Sequence, residues 1–290
     1  MAKAKAKATA KSNGVEIVET VARVKKRLAP KKVKIEGETY WVAEGDTLLD
    51  EDQLELYVDQ LNAREQQKKL QSEAAALGET VVTGSRSELI GITGPGGKLV
   101  RWKDGKQLTY CVLKNTFGSN QEYLLARQSM DKATKAWQDT CGIAFKHIVA
   151  KDTSASTQVP GVLFTVRKID AGGRFIAAAF FPNDPPDRRR VLIDPSFFAA
   201  DLSFDRVGVL RHELGHVLGF RHEHISADAP AACPDEDLTD TKPLTGYDPK
   251  SVMHYFCGNV GSLELLISTV DLAGAQRVYG MPLSSYIFVD

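Results

Sequence analysis

The chain has 290 residues, 37 Lys or Arg against 37 Asp or Glu, and 43% hydrophobic residues. That is enough for one sizeable globular domain with an extra segment. Zero net charge supplies no global field to select nucleic acid, and no apolar run reaches the roughly 18 residues a membrane-spanning helix needs.

Charge is nevertheless unevenly placed. Residues 1–34 hold eleven Lys or Arg against two Glu, while residues 36–60 hold nine acids and no base. The opening Met1–Lys7 alternates alanine and lysine and reads as a solvated basic tail. A second reading makes the chain a binding module that uses this tail on nucleic acid or an anionic surface. The start also lacks the apolar core, roughly 7–15 residues long, of a secretory signal peptide.

Residues 35–97 are expected to form a small N-terminal region. Lys34–Ala43 alternates like a strand, and Asp50 with Gln53 could cap a helix running to about Ala76. That helix carries Leu54, Tyr57, Leu61 and Leu70, too sparse a face for a core of its own. Gly84–Gly97, ending in Gly94-Pro95-Gly96-Gly97, reads as a flexible linker.

From Trp102 the pattern becomes that of a compact α+β domain, placed at residues 98–290. A strand is predicted over Gln107–Leu113. A helix follows over Asn120–Gln138, with Tyr123, Ala126, Met130, Ala133 and Trp137 forming one buried stripe. Further strands are predicted near Ile143–Val149, Val162–Arg167, Phe175–Phe181 and Arg190–Ile193. Ser203 is a plausible N-cap for a helix running to about Leu218. His147, inside a strand, reads as a structural histidine.

That last helix carries the chemistry. His212-Glu213-Leu214-Gly215-His216-Val217-Leu218-Gly219-Phe220-Arg221-His222 has the form H-E-x-x-H-x-x-G-x-x-H. Residues four apart on a helix share a face about 6 Å apart along the axis, so His212 and His216 can grip one ion. Gly219 can take the left-handed conformation that ends the helix, letting the chain return with His222 as third ligand. Three protein nitrogens leave a position for water, the mark of a catalytic zinc site, and Glu213 beside it suits a general base. A chance H-E-x-x-H on a surface helix is set aside by a second element downstream. Ser251-Val252-Met253-His254-Tyr255 has the form of a Met-turn, with Met253 placed beneath the histidines.

The two motifs together resemble those of metzincin zinc endopeptidases. The resemblance implies a zincin catalytic domain, with a twisted mixed sheet, a long zinc-site helix and two subdomains flanking a cleft. It also implies one catalytic zinc ion and a protein or peptide substrate, and a monomer is expected. Glu223 after the third histidine and the S-V-M-H-Y turn, preceded by Tyr247-Asp248, look astacin-like; the stretch after Glu223 departs from the astacin pattern. In astacins the tyrosine two places after the methionine supports the transition state, a role that falls here on Tyr255.

Ala177-Ala178-Ala179-Phe180-Phe181-Pro182 resembles the A-H-A-F-F-P strand of matrixins, with Ala178 where those have a histidine on a structural zinc. A second zinc is therefore not expected from this segment. An extended substrate would lie along the edge formed by Ala177, Ala179 and Phe180. Asp271–Gly280 resembles the last matrixin helix.

Four cysteines, Cys111, Cys141, Cys233 and Cys257, allow three pairings. Cys111–Cys141, strand to helix end, and Cys233–Cys257, loop to Met-turn, are favoured. Bridges would suit an extracellular protease, in tension with the start of the chain. Localisation stays open.

A matrixin-type cysteine switch is excluded, since no cysteine precedes Cys111. Astacin propeptides use an aspartate in F-x-G-D, and Ala43-Glu44-Gly45-Asp46 resembles it in Gly-Asp. The resemblance implies that Asp46 could occupy the zinc and keep the enzyme latent until cleavage within about Gly78–Gly97. An ordinary Gly-Asp surface turn is the alternative.

Overall fold

Strand-forming residues collect into three sheets in the computed structural model, which describes residues 19–55, 57–59, 61–62, 89–225, 229–230, 233 and 241–289. The basic tail before residue 19 and the stretch 63–88 lie outside the described residues.

The N-terminal segment begins with helix α1 (Val21–Leu28), capped by the Thr20 side chain. Strands β1 (Lys32–Ile35), β2 (Glu38–Ala43) and β3 (Thr47–Leu49) then form an antiparallel sheet. The single strand expected over Lys34–Ala43 is thus a hairpin, broken at Glu36-Gly37, whose two residues both have positive φ (54° and 90°). The capping box of Asp50 and Gln53 forms in both directions, at 2.8 and 3.2 Å, and helical residues follow from 51 to 62 where described. The predicted extension of that helix to Ala76 lies outside the described residues.

The second sheet has five strands in the order β7-β6-β8-β10-β9. These are β6 (Gln107–Val112), β7 (Ala144–His147), β8 (Phe164–Lys168), β9 (Ala177–Ala178) and β10 (Arg190–Ile193). All neighbours are parallel except β9, which runs antiparallel to β10 and forms the edge. Period-two alternation gives this sheet two buried faces. On one face Leu108, Tyr110, Val112, Val166, Val191 and Ile193 meet helices α2 (Asn120–Thr140) and α3 (Arg206–Val217) in the main core. On the other, Leu192 and Ala178 meet Val33, Ile35, Tyr40 and Val42 of the N-terminal hairpin.

This alternation corrects one expectation. Cys111 lies with Leu113 and Val159 on one side of its strand, while Cys141, at the end of α2, packs into the main core on the other. Both thiols are free and buried, and the Cys111–Cys141 bridge does not form. The bridge Cys233–Cys257 is present.

The third sheet corrects the linker reading over residues 90–97, while residues 84–88 lie outside the described residues. Strand β4 (Ile90–Gly94) pairs antiparallel with β11 (Phe220–Arg221), β12 (Thr241–Pro243) and β5 (Lys98–Leu99). Leu89 is buried in the main core, and Ile92 N–H donates to the Gly219 carbonyl at 2.9 Å. Two of its three partners, β11 and β12, lie about 130 and 150 residues away, and the local one, β5, contributes only two residues, so the pairing is set mainly by distant chain.

Two indoles hold α3 in place, one from α2 and one from the chain before β6. Trp137 of α2 donates to the Arg211 carbonyl at 2.8 Å, and Trp102 to the Val217 carbonyl at 2.7 Å, both on α3. Helix α3 is capped by Asp205, which accepts from Gly208 N–H at 2.7 Å, rather than by Ser203. Both are cap-forming residues two apart; Asp205 wins because its own N–H is also held, by the Leu263 carbonyl at 2.9 Å.

Candidate metal centre and cleft

Helix α3 places His212, Glu213 and His216 in the interior, each 3% exposed. The chain leaves the helix at Gly219 with φ +94°, a left-handed value that favours glycine, and returns through β11 to bring in His222, fully buried. His212 Nδ1–H donates to the Val252 carbonyl and His216 Nδ1–H to the Phe220 carbonyl, each at 2.7 Å. These bonds fix the tautomer, so each Nε2 carries a lone pair toward the common centre. Burial pushes His216 down to about 4, so its ring is neutral.

The Met-turn closes the floor. Met253 packs beneath the helix against Gly215, where any side chain would collide with its sulfur. The turn itself is braced by Asp271 at the start of α4 (Thr269–Tyr279). That carboxylate accepts from Ser251 Oγ at 2.6 Å and Val252 N–H at 2.8 Å while closing a capping box with Ser268. Sequence reasoning missed this role, although the Ser268-x-x-Asp271 spacing was visible. His224 and His254 are buried beside the site but stay out of the converging set; His254 Nε2 meets the Tyr247 hydroxyl at 2.8 Å.

Asp46 completes the cluster from the N-terminal segment. Its Oδ2 lies 3.4, 3.8 and 3.3 Å from Nε2 of His212, His216 and His222. One ligand atom from each of these four buried residues falls within 4.8 Å of the others. Burial opposes the charge of Asp46, but the His222 charge beside it outweighs that cost and holds the carboxyl well below the ordinary range. Tyr255 joins it, with its hydroxyl 2.6 Å from Oδ2 of Asp46 and 2.8 Å from the Glu44 carbonyl. The turn that makes this approach needs Gly45, whose φ is +95° and whose added Cβ would stand 2.6 Å from that hydroxyl.

The donor set fits a zinc ion. Neutral imidazoles and a carboxylate are its ordinary ligands, and buried Nε2 of His212 has no hydrogen-bond partner within the cluster. Glu213 stands beside this centre; burial, then the Asp46 charge, raises its carboxyl well above the usual range.

A cavity of about 300 Å³ opens next to the cluster, lined by Phe175, Ile176, Ala177, Val209 and Leu265 with His212 and Glu213 at its head. The edge strand expected over Phe175–Phe181 pairs only at Ala177–Ala178, because Phe180 turns into the main core against Phe164. Ala177 lines the cavity, Ala179 is half-buried, and Phe181 meets the His216 ring edge-on at 5.2 Å.

Residues 101–230 match the family model described as Matrixin. No curated protein matches the chain. Among solved structures, that of myroilysin is similar at 18% identity and a TM-score of 0.42, covering 62% of this chain and 95% of the other. With the histidine helix, the Met-turn and the matrixin match in one mixed α+β domain, the chain carries a metzincin-type metallopeptidase of zincin fold.

Proposed function

We propose that the protein is a zinc endopeptidase held latent by its own N-terminal segment. The observation that carries this reading is the convergence of His212, His216, His222 and Asp46 on one point. The three histidines would hold the ion, and Asp46 would take the position that water needs. When bound, zinc supplies a Lewis acid that polarises a peptide carbonyl and acidifies a water. Glu213 takes the water's proton and passes it to the leaving amine. Tyr255, once released from Asp46, donates a hydrogen bond from its hydroxyl to the carbonyl oxygen as charge develops there. The edge at Ala177 offers main-chain groups to an extended peptide, and the adjoining cavity takes an apolar side chain. The tyrosine and aspartate roles together favour an astacin-like site on a matrixin-like framework.

Purified protein should carry about one zinc per chain and, with Asp46→Ala opening the site, cleave an unfolded protein such as casein until a chelator is added. In that background Glu213→Ala should keep the metal and lose nearly all turnover. Turnover equal to the parent would remove Glu213 from the role of base.

A further inference from the structure

The acidic N-terminal segment is fastened to the rest of the chain by arginines. Glu36 pairs with Arg167 at 2.5 and 3.1 Å, Asp50 with Arg188, and Glu44 with Arg221 at 2.8 Å. The first two anchor the hairpin and the following helix. The third lies at the site itself, because Arg221 immediately precedes His222 and Glu44 stands two residues before Asp46.

Two features of Glu44 resemble what a substrate residue would present. Its backbone carbonyl stands 2.8 Å from the Tyr255 hydroxyl, where a scissile carbonyl would be held. Its carboxylate, with only 3% of the side chain exposed, reaches Arg221. Its left-handed backbone (φ 53°) differs from that of an extended peptide, so the likeness lies in the carbonyl and the side chain, not in the path. Arg221 also lies over the Phe181 ring at 6.0 Å. It therefore flanks the end of the edge segment opposite Ile176 and Ala177, which line the apolar cavity. An antiparallel substrate would lay its residues before the scissile bond toward Arg221 and those after it toward the cavity.

We propose that Arg221 is a specificity-determining residue that selects an acidic side chain on the substrate residue supplying the scissile carbonyl. This rests on the peptidase reading above. When the N-terminal segment leaves, the Glu44 carboxylate leaves with it, and a substrate glutamate restores the charge-assisted, bidentate-capable pairing that a guanidinium favours. Glu44 is then both part of the inhibitory clasp and a stand-in for the preferred substrate side chain.

The test uses the full-length chain carrying Glu44→Ala and Asp46→Ala, which removes both carboxylates that hold the segment at the site. Three peptides differ only in Glu, Gln or Lys at the residue before the scissile bond. Glu should be cleaved about tenfold better than Gln in kcat/KM, chiefly through KM, with Lys poorest, as expected for one hydrogen bond to a charged group. Arg221→Gln should flatten the series, Arg221→Lys should retain the order, and Arg221→Glu should favour the Lys peptide. Zinc content of each variant separates loss of recognition from loss of the metal site. A flat series in the parent, or an unchanged Glu preference in zinc-loaded Arg221→Gln, would overturn the proposal. Failure to cleave casein or any peptide while zinc is bound would instead overturn the peptidase reading beneath it.

Discussion

The Tyr255 hydroxyl lies 2.6 Å from Oδ2 of Asp46, linking the Met-turn to the N-terminal segment across 209 residues. One proton serves the Asp46 carboxylate and the Glu44 carbonyl, so the same hydroxyl cannot assist catalysis while the segment is in place. Tyr255→Phe in the Asp46→Ala background should therefore lower kcat by roughly 10²–10³-fold, the scale of losing one oxyanion donor, with little change in KM. A steady-state assay with intact zinc content decides this. An equal loss in KM alone would assign Tyr255 to binding.

Asp46→Ala should raise the activity of the full-length chain. The cluster loses its carboxylate and the site gains a position for water, so the gain should be tenfold or more. Asp46→Asn keeps the size while removing the charge that faces three imidazoles, and it should fall between parent and alanine variant. Equal turnover in all three proteins would mean that the segment does not govern access to the site.

Much of this site was legible because its chemistry is local. The histidine spacing, the left-handed Gly219 and the Met-turn are short-range patterns, and the α2 stripe and the Asp50–Gln53 box follow from helix geometry alone. What was missed depends on distant partners. Strand β4 looks like a linker because Gly91, Gly94, Gly96 and Gly97 are turn residues, yet Gly91 pairs with Phe220 and Lys242, far along the chain. Cys111 and Cys141 seem well placed until strand alternation sets them on opposite faces. Arg167 and Arg221 meet Glu36 and Glu44 across 131 and 177 residues, with no local signature at either end.

The Glu36–Arg167 pair predicts a pH dependence. The Arg167 guanidinium holds the Glu36 carboxyl at about 2, below its ordinary 4.5. A carboxylate depressed on folding contributes stability that is present above the ordinary value and is lost as pH falls toward about 2. Glu36 is 41% exposed, so solvent screening limits the contribution to about 1 kcal/mol or less. Glu36→Gln should melt slightly below the parent at neutral pH, and the gap should narrow as pH drops below about 4.5. Thermal unfolding across that window checks it; a gap that widened in acid would reverse the assignment.

The cysteines predict a split in reactivity. Cys233–Cys257 closes a loop of sequence separation 24 between the chain after the zinc-site helix and the Met-turn. Such a loop constrains the unfolded chain by about 3 kcal/mol. Cys111 and Cys141 are instead fully buried, and desolvation pushes each thiol up to about 12, with the Asp152 charge adding to the rise at Cys111. Native protein should therefore resist thiol labelling, and denaturing it without reductant should release two reactive thiols per chain. Cys257→Ser should lower the melting temperature and speed zinc loss to a chelator, because Tyr255 and the Met-turn lose their tether. Cys111→Ala should leave zinc retention unchanged, since its strand face looks away from the helices that carry the site. Four reactive thiols in the denatured, unreduced chain would rule out the bridge, and none would require a second pairing that the sheet geometry forbids.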